Sequence, residues 1–437
     1  MNAQNDRQVL EAAGWANHYH RALKRGLTPL DGIRAGDRVF LSSACAEPVQ
    51  IIDDLTSRAQ RGQLDGVTSY MMLGGSSGRL LNGAQRGHDV VAINASAKWA
   101  QDFFPWTIHQ TAELMRTGEL RYDVAAVHSS PPDEHGYLSL GVSVDFAQEA
   151  IAQARIVVAE VNPRMPFTMG SSHVHISEID GLIEVDYPLA EEILPAPSST
   201  GRAVAGHVLE HVPDGATIEI GVGRIMSAVL EAMADKNDIG LHTGLIIEAM
   251  ADLIESGNIT NSRKALDRGI SVANQGRGRQ RLYDFVHRNP AVHFMPASYT
   301  HAPAVLSQLP DFRAINSALQ VDLLGRVNAE VRDGRRVSST GGLGDFARAA
   351  ATVRGARSII ALAATADGGA ISRIVPHLDA GAVTLTADLA DIVVTEHGSA
   401  VLRGKRPRER AEALIAIADP RHRAQLAEHL AAGTASQ

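Results

Sequence analysis

Short aliphatic runs separated by helix-length segments constrain this chain more than any other feature. Arg38-Val-Phe-Leu41, Val67 to Leu73, Asp89 to Ile93, Val124 to Val127 and Ile156 to Val161 read as strands in the first half. Thr217 to Ile220, Ser358 to Leu362 and Asp391 to Thr395 read the same way in the second. Most lack polar alternation, as expected of strands buried on both faces of a parallel sheet. Between them, Pro48 to Ala59, Ser227 to Ala234 and Ala249 to Glu255 carry helical patterns. Alternation of this kind predicts βαβ units and an α/β fold built on mainly parallel sheets.

Composition agrees. The 437 residues include 39 glycines, 45% hydrophobic residues and only 4% aromatic ones. That excludes disorder, collagen, coiled coil and a disulfide scaffold, and points to many tight strand-to-helix turns. The formal net charge of −8 argues against nucleic acid as a partner. No run reaches the 18 or so apolar residues of a membrane span, and the polar start Met1 to Arg7 has no apolar stretch behind it. The expectation is a cytoplasmic protein with neither membrane nor nucleic-acid partner. The single cysteine, Cys45, reads as a buried thiol rather than a nucleophile.

A Pro/Ser/Gly stretch, Leu194-Pro-Ala-Pro-Ser-Ser-Thr-Gly201, suggests a boundary. It divides the chain into an N-terminal domain, residues 1–195, and a C-terminal domain, residues 196–437. Gly36-Asp-Arg-Val-Phe-Leu41 and Gly215-Ala-Thr-Ile-Glu-Ile220 are alike, which fits two related halves and equally any pair of βα units.

Two glycine clusters carry candidate chemistry. Gly221-Val222-Gly223 follows a strand and opens a helix, where backbone N–H groups meet an anion. Met226 stands where a dinucleotide fingerprint needs its third glycine, so a nicotinamide oxidoreductase is a poor reading. Gly341-Gly342 precedes an Ala/Arg helix, and adjacent glycines can aim successive N–H groups at one acceptor. Gly398 to Lys405 has the wrong spacing for a phosphate loop. His173-Val-His175 lacks a third ligand at a set spacing, so no metal site is expected.

Longer stretches are more specific. They are Ser129-Ser-Pro-Pro-Asp-Glu-His-Gly136 through Asp145, Asn162-Pro-Arg-Met-Pro166, Ile176-Ser-Glu-Ile-Asp180, Ala314 to Glu330, Ser372-Arg-Ile-Val-Pro376 and Val393-Val-Thr-Glu-His-Gly398. Together they resemble the acetyl-CoA hydrolase/transferase family, which includes 4-hydroxybutyrate and butyrate CoA-transferases, over roughly residues 30–430. The resemblance implies two CoA-transferase-like α/β domains with the active site at their interface. It also implies self-association, coenzyme A esters as substrates and no permanently bound cofactor. Gly221, Val222, Gly223, Gly341 and Gly342 match the family's CoA-contacting loops, with Leu343 where a glutamine is usual. In such enzymes a glutamate attacks the thioester, and covalent catalysis divides one exchange into easier steps.

Here the matching segment is Gly240-Leu-His-Thr-Gly244-Leu-Ile-Ile-Glu248. Gly244 stands at the position expected for the glutamate, and glycine has no nucleophile. Three readings follow. Another carboxylate substitutes, with Glu248 one helical turn on if a helix has begun by residue 244. Or water or an acyl acceptor attacks the thioester directly, with His242 as a candidate base. Or the chain binds CoA esters without turnover. Direct attack, as hydrolysis or transfer to a non-carboxylate acceptor, is the preferred reading.

Overall fold

The computed structural model describes residues 3–72, 87–93, 102–193, 195–379 and 382–433. Leu73, at the end of one expected strand, and Leu194, within the expected boundary, lie outside them. The chain forms two compact units. The first comprises Met1–Glu192, Ile246–Glu248 and Val272–Thr300, and the second Ile193–Leu245, Ala249–Ser271 and His301–Gln437. The division therefore follows no single point in the sequence, because two later segments return to the first unit.

The first unit begins with helix α1 (Ala3–Arg25) and holds strands β1 (Arg38–Leu41), β2 (Thr68–Met71), β3 (Asp89–Ala92), β4 (Asp102–Phe103), β5 (Val124–Ser129), β6 (Ile156–Val161) and β7 (Gly181–Glu184). They form one parallel sheet in the order β7-β6-β5-β1-β2-β3-β4. Every residue of β5 and β6 is buried, which is why their sequences show no polar alternation. Helix α2 (Val49–Gln60) lays Ile51, Ile52, Leu55 and Ala59 against Val39, Leu41, Val124 and Ala126. Each such aliphatic side chain contributes about 1.5–3 kcal/mol on burial.

In the second unit, β8 (Thr217–Ile220), β9 (Gly240–Leu241), β10 (Arg313–Ser317), β11 (Arg357–Ala361), β12 (Ile392–Thr395) and β13 (Gly398–Val401) lie in the order β9-β8-β10-β11-β12-β13. All pairs are parallel except the last, a hairpin turning at Thr395–Gly398. Three helices bear on the site: α3 (Arg224–Ala232), α4 (Glu248–Glu255) and α5 (Leu343–Thr352). Helix α5 buries Phe346, Ala349 and Ala350 in a cluster with Leu306, Phe312 and Ala314. The expected α/β fold with mainly parallel sheets is what the chain forms. No helix among the described residues is long and apolar enough to cross a membrane.

Candidate active site

Open parallel sheets gather ligand-binding loops at the carboxyl ends of their strands. In the second unit β8 delivers Gly221–Gly223, β9 delivers His242–Gly244, and β10 carries Asn316 near its end. Gly221 is required by crowding. A Cβ there would stand 2.6 Å from Asn316 Oδ1. Gly223 is required by conformation, with φ at +124° and open space where a Cβ would project. Helix α3 starts immediately after, and Val222 is exposed beside it. The chain thus turns its backbone toward open space at a helix N-terminus, where N–H groups and the helix dipole favour an anion.

Gly341 also has a left-handed φ, +55°, and open space on its Cβ side. Gly342 differs. A Cβ there would fall 2.6 Å from His301 Nε2 and 2.9 Å from Phe346 Cε2. Both glycines are partly exposed at the start of α5, where successive N–H groups suit a developing oxyanion.

A cavity of about 770 Å³ opens in the same unit, within the 300–1,000 Å³ or so typical of ligand sites. Arg224, Ser317, Arg373, Glu396 and Arg421 are among its lining residues. Arg421 is paired with Asp419 at 2.8 Å, and Glu396 Oε2 accepts from the Ala364 N–H at 2.8 Å. Arg224, at the first turn of α3, and the half-buried Arg373 bring positive charge to the wall.

His242 and Thr243 pin the next loop to β8. The His242 N–H donates to Ile218 O at 3.0 Å, and the Thr243 hydroxyl donates to Ile220 O at 3.4 Å. Both side chains are fully buried. Gly244 is partly exposed. A Cβ at 244 would meet His301 Nε2 at 3.2 Å, His301 Cε1 at 3.3 Å and Phe346 Cε2 at 3.9 Å.

Glu248 is held elsewhere. Its Oε2 accepts from Arg279 Nη2 at 2.9 Å and its Oε1 from the Arg279 backbone N–H at 3.2 Å. The one-turn relation of Glu248 to residue 244 does not arise. Leu245–Ile246 is extended, and α4 begins only at Glu248.

Sequence reasoning missed His301, Phe346 and the Glu219–Asn316 pair. Glu219 on β8 is buried, and its Oε2 accepts from Asn316 Nδ2 at 2.8 Å. Burial pushes its carboxyl up to about 8, against the weaker opposing effect of that hydrogen bond. The only sequence signal was a charged residue inside an aliphatic strand. His173 Nε2 lies 2.9 Å from Thr168 O, and no cluster of three metal-ligating side chains occurs among the described residues.

The acetyl-CoA hydrolase/transferase N-terminal domain matches residues 3–194, and the C-terminal domain of the same family matches residues 278–430. The chain is 35% identical over 420 residues to the 4-hydroxybutyrate coenzyme A transferase of Clostridium kluyveri, covering 94% of this chain and 98% of that one. The chain belongs to the acetyl-CoA hydrolase/transferase family. A second relative, the succinyl-CoA:cyclohexane-1-carboxylate CoA transferase of Geobacter metallireducens, is 37% identical over 406 residues, with 91% and 92% covered. Among solved structures, RipA from Yersinia pestis superposes with a TM-score of 0.90 at 31% identity, covering 96% of this chain and 99% of that one. The 4-hydroxybutyrate CoA-transferase of Porphyromonas gingivalis superposes with 0.81 at 34% identity, covering 93% and 96%. The family comprises enzymes of coenzyme A thioester chemistry, so this member is an enzyme.

Proposed function

We propose that this family member cleaves acyl-CoA thioesters by direct attack of water or of a non-carboxylate acyl acceptor, without a protein carboxylate as nucleophile. The observation that carries the reading is Gly244. At the position where the family resemblance expects the attacking glutamate, there is no side chain, and His301 Nε2 lies 3.2 Å from where a Cβ would be.

The rest of the site supports thioester chemistry. The Gly221–Gly223 loop and the N-terminus of α3 suit the anionic part of a coenzyme A ester. Arg224 and Arg373 on the cavity wall add positive charge. The Gly341 and Gly342 N–H groups, at the start of α5, would receive a carbonyl oxygen that gains negative charge on attack. Removing one such donor typically lowers a rate by roughly 10²–10³-fold, so an oxyanion site keeps its value without a covalent nucleophile. The relatives' names indicate esters of small carboxylic acids as the substrate class. Displacement of the nucleophile to Glu248 is the second reading, and the ion pair to Arg279 weighs against it. A carboxylate held by a guanidinium is a weaker nucleophile.

The test is a panel of short and alicyclic acyl-CoAs, incubated with and without acceptor carboxylates and read by mass spectrometry. Free coenzyme A should appear in the absence of any carboxylate, and borohydride should trap no adduct at Glu248. Thiol release only when a carboxylate is supplied would overturn the proposal.

A further inference from the structure

The space that a side chain at 244 would enter is lined by an imidazole. His301 Nε2 and Cε1 stand 3.2 and 3.3 Å from the ideal Cβ of Gly244, and Nε2 stands 2.6 Å from that of Gly342. One ring edge therefore borders both glycines. One of them stands at the nucleophile position and the other within the oxyanion loop. Phe346 packs alongside the ring, with centroids 4.6 Å apart and planes at 46°. Phe346 in turn packs on Phe312 at 6.2 Å, and both are fully buried in the core beneath α5.

His301 itself is buried, while Gly244, Gly341 and Gly342 are partly exposed. The ring thus lies directly behind a surface made of backbone. Only the two glycines' missing side chains separate Nε2 from that surface, and an alanine at either position would crowd it. A histidine bordering two glycines and packed on Phe346 is positioned to exchange a proton with something bound in front of them.

Resting on the reading of direct attack, we infer that His301 is the general base for the attacking water. Neutral imidazole takes a proton from water as its oxygen bonds to the thioester carbonyl carbon. The carbonyl oxygen becomes an oxyanion facing the Gly341 and Gly342 N–H groups. The intermediate then collapses, the C–S bond breaks, and imidazolium returns the proton to the leaving thiolate. The products are the carboxylic acid and free coenzyme A, with no co-reactant beyond water.

Three variants test this, each assayed for thiol release from the acyl-CoA that the wild-type enzyme cleaves fastest and checked for an intact thermal transition. His301→Gln keeps size and polarity without a base, and hydrolysis should fall by roughly 10²–10⁴-fold. His301→Ala should fall similarly, but added imidazole should restore activity in proportion to its unprotonated fraction, which a packing role would not produce. If neither folds, Gly244→Ala retains His301 and places a methyl group 3.2 Å from Nε2. It should reduce turnover several-fold with little change in KM. A folded His301→Gln enzyme with wild-type hydrolysis, an absence of imidazole rescue, or an unaffected Gly244→Ala enzyme would each overturn the assignment while leaving direct attack standing. Wild-type enzyme that releases no thiol to water would overturn both.

Discussion

Glu219 offers a quantitative test of how the site is built. It stands on β8 one residue before Ile220, after which the glycine loop begins. Its carboxyl is buried, and its hydrogen-bond partner, Asn316, also faces Gly221. Burial raises the carboxyl from the ordinary 4.5 to about 8. The sign follows from proton binding. The unfolded chain loses this proton near 4.5, while the folded chain holds it to about 8. Between those values the folded state binds more protons, so stability falls as pH rises. Below the window the group contributes nothing, and above it the whole penalty is present. At about 1.4 kcal/mol per pH unit, the penalty at pH 7 is on the order of 3 kcal/mol. For a unit of this size that corresponds to roughly 6–12 °C in melting temperature.

Glu219→Gln removes the titration and keeps an oxygen to accept from Asn316. Melting of wild type and variant should coincide near pH 5 and diverge steadily toward pH 8, with the variant the more stable. Scanning calorimetry at unit steps of pH checks this. A difference independent of pH, or a variant less stable at pH 8, would refute the claim that Glu219 is folded as a neutral acid. If the adjacent loop holds the anionic part of a coenzyme A ester, as proposed, a charge at Glu219 would oppose it.

Two other substitutions probe the site. Gly244→Glu alone should yield little carboxylate-dependent CoA transfer because its Cβ meets the imidazole at 3.2 Å. The double variant Gly244→Glu/His301→Ala should yield more, measured as label exchange between acyl-CoA and free carboxylate, and equal rates would contradict the crowding. Arg373→Ala should raise KM for acyl-CoA roughly 10-fold with kcat nearly unchanged, since a lost charged contact is worth about 1.5–3 kcal/mol. Steady-state kinetics would show it, and an unchanged KM would remove Arg373 from the binding wall.

The sheets were legible in the sequence because strands buried on both faces are mostly aliphatic, as in Ile156–Val161 and Thr217–Ile220, where Glu160 and Glu219 are the charged exceptions. The glycine loops were legible because their positions relative to strand and helix are local. What was not legible was proximity. Helical spacing would put Glu248 one turn from residue 244, but the helix starts at Glu248 and its partner Arg279 lies 31 residues on. His301 carries no local signal, since a lone histidine after Tyr299-Thr300 resembles many surface histidines. The return of Val272–Thr300 to the first unit was equally hidden, because a linear boundary cannot represent a chain that crosses back.

Gly244 and His301 are better understood as one feature than as two. A side chain at 244 and the imidazole compete for the same volume, at 3.2 Å from Cβ to Nε2. That separation is tight enough that one of them must give way. The ring has little freedom to shift, because it is buried and packs against the buried Phe346, and close-packed interiors yield little. Loss of the side chain at 244 therefore does more than delete a nucleophile. On the reading proposed above, it also leaves the imidazole of His301 at the border of the vacated space. That is why restoring a carboxylate at 244 without removing the ring should leave the enzyme poor at both chemistries.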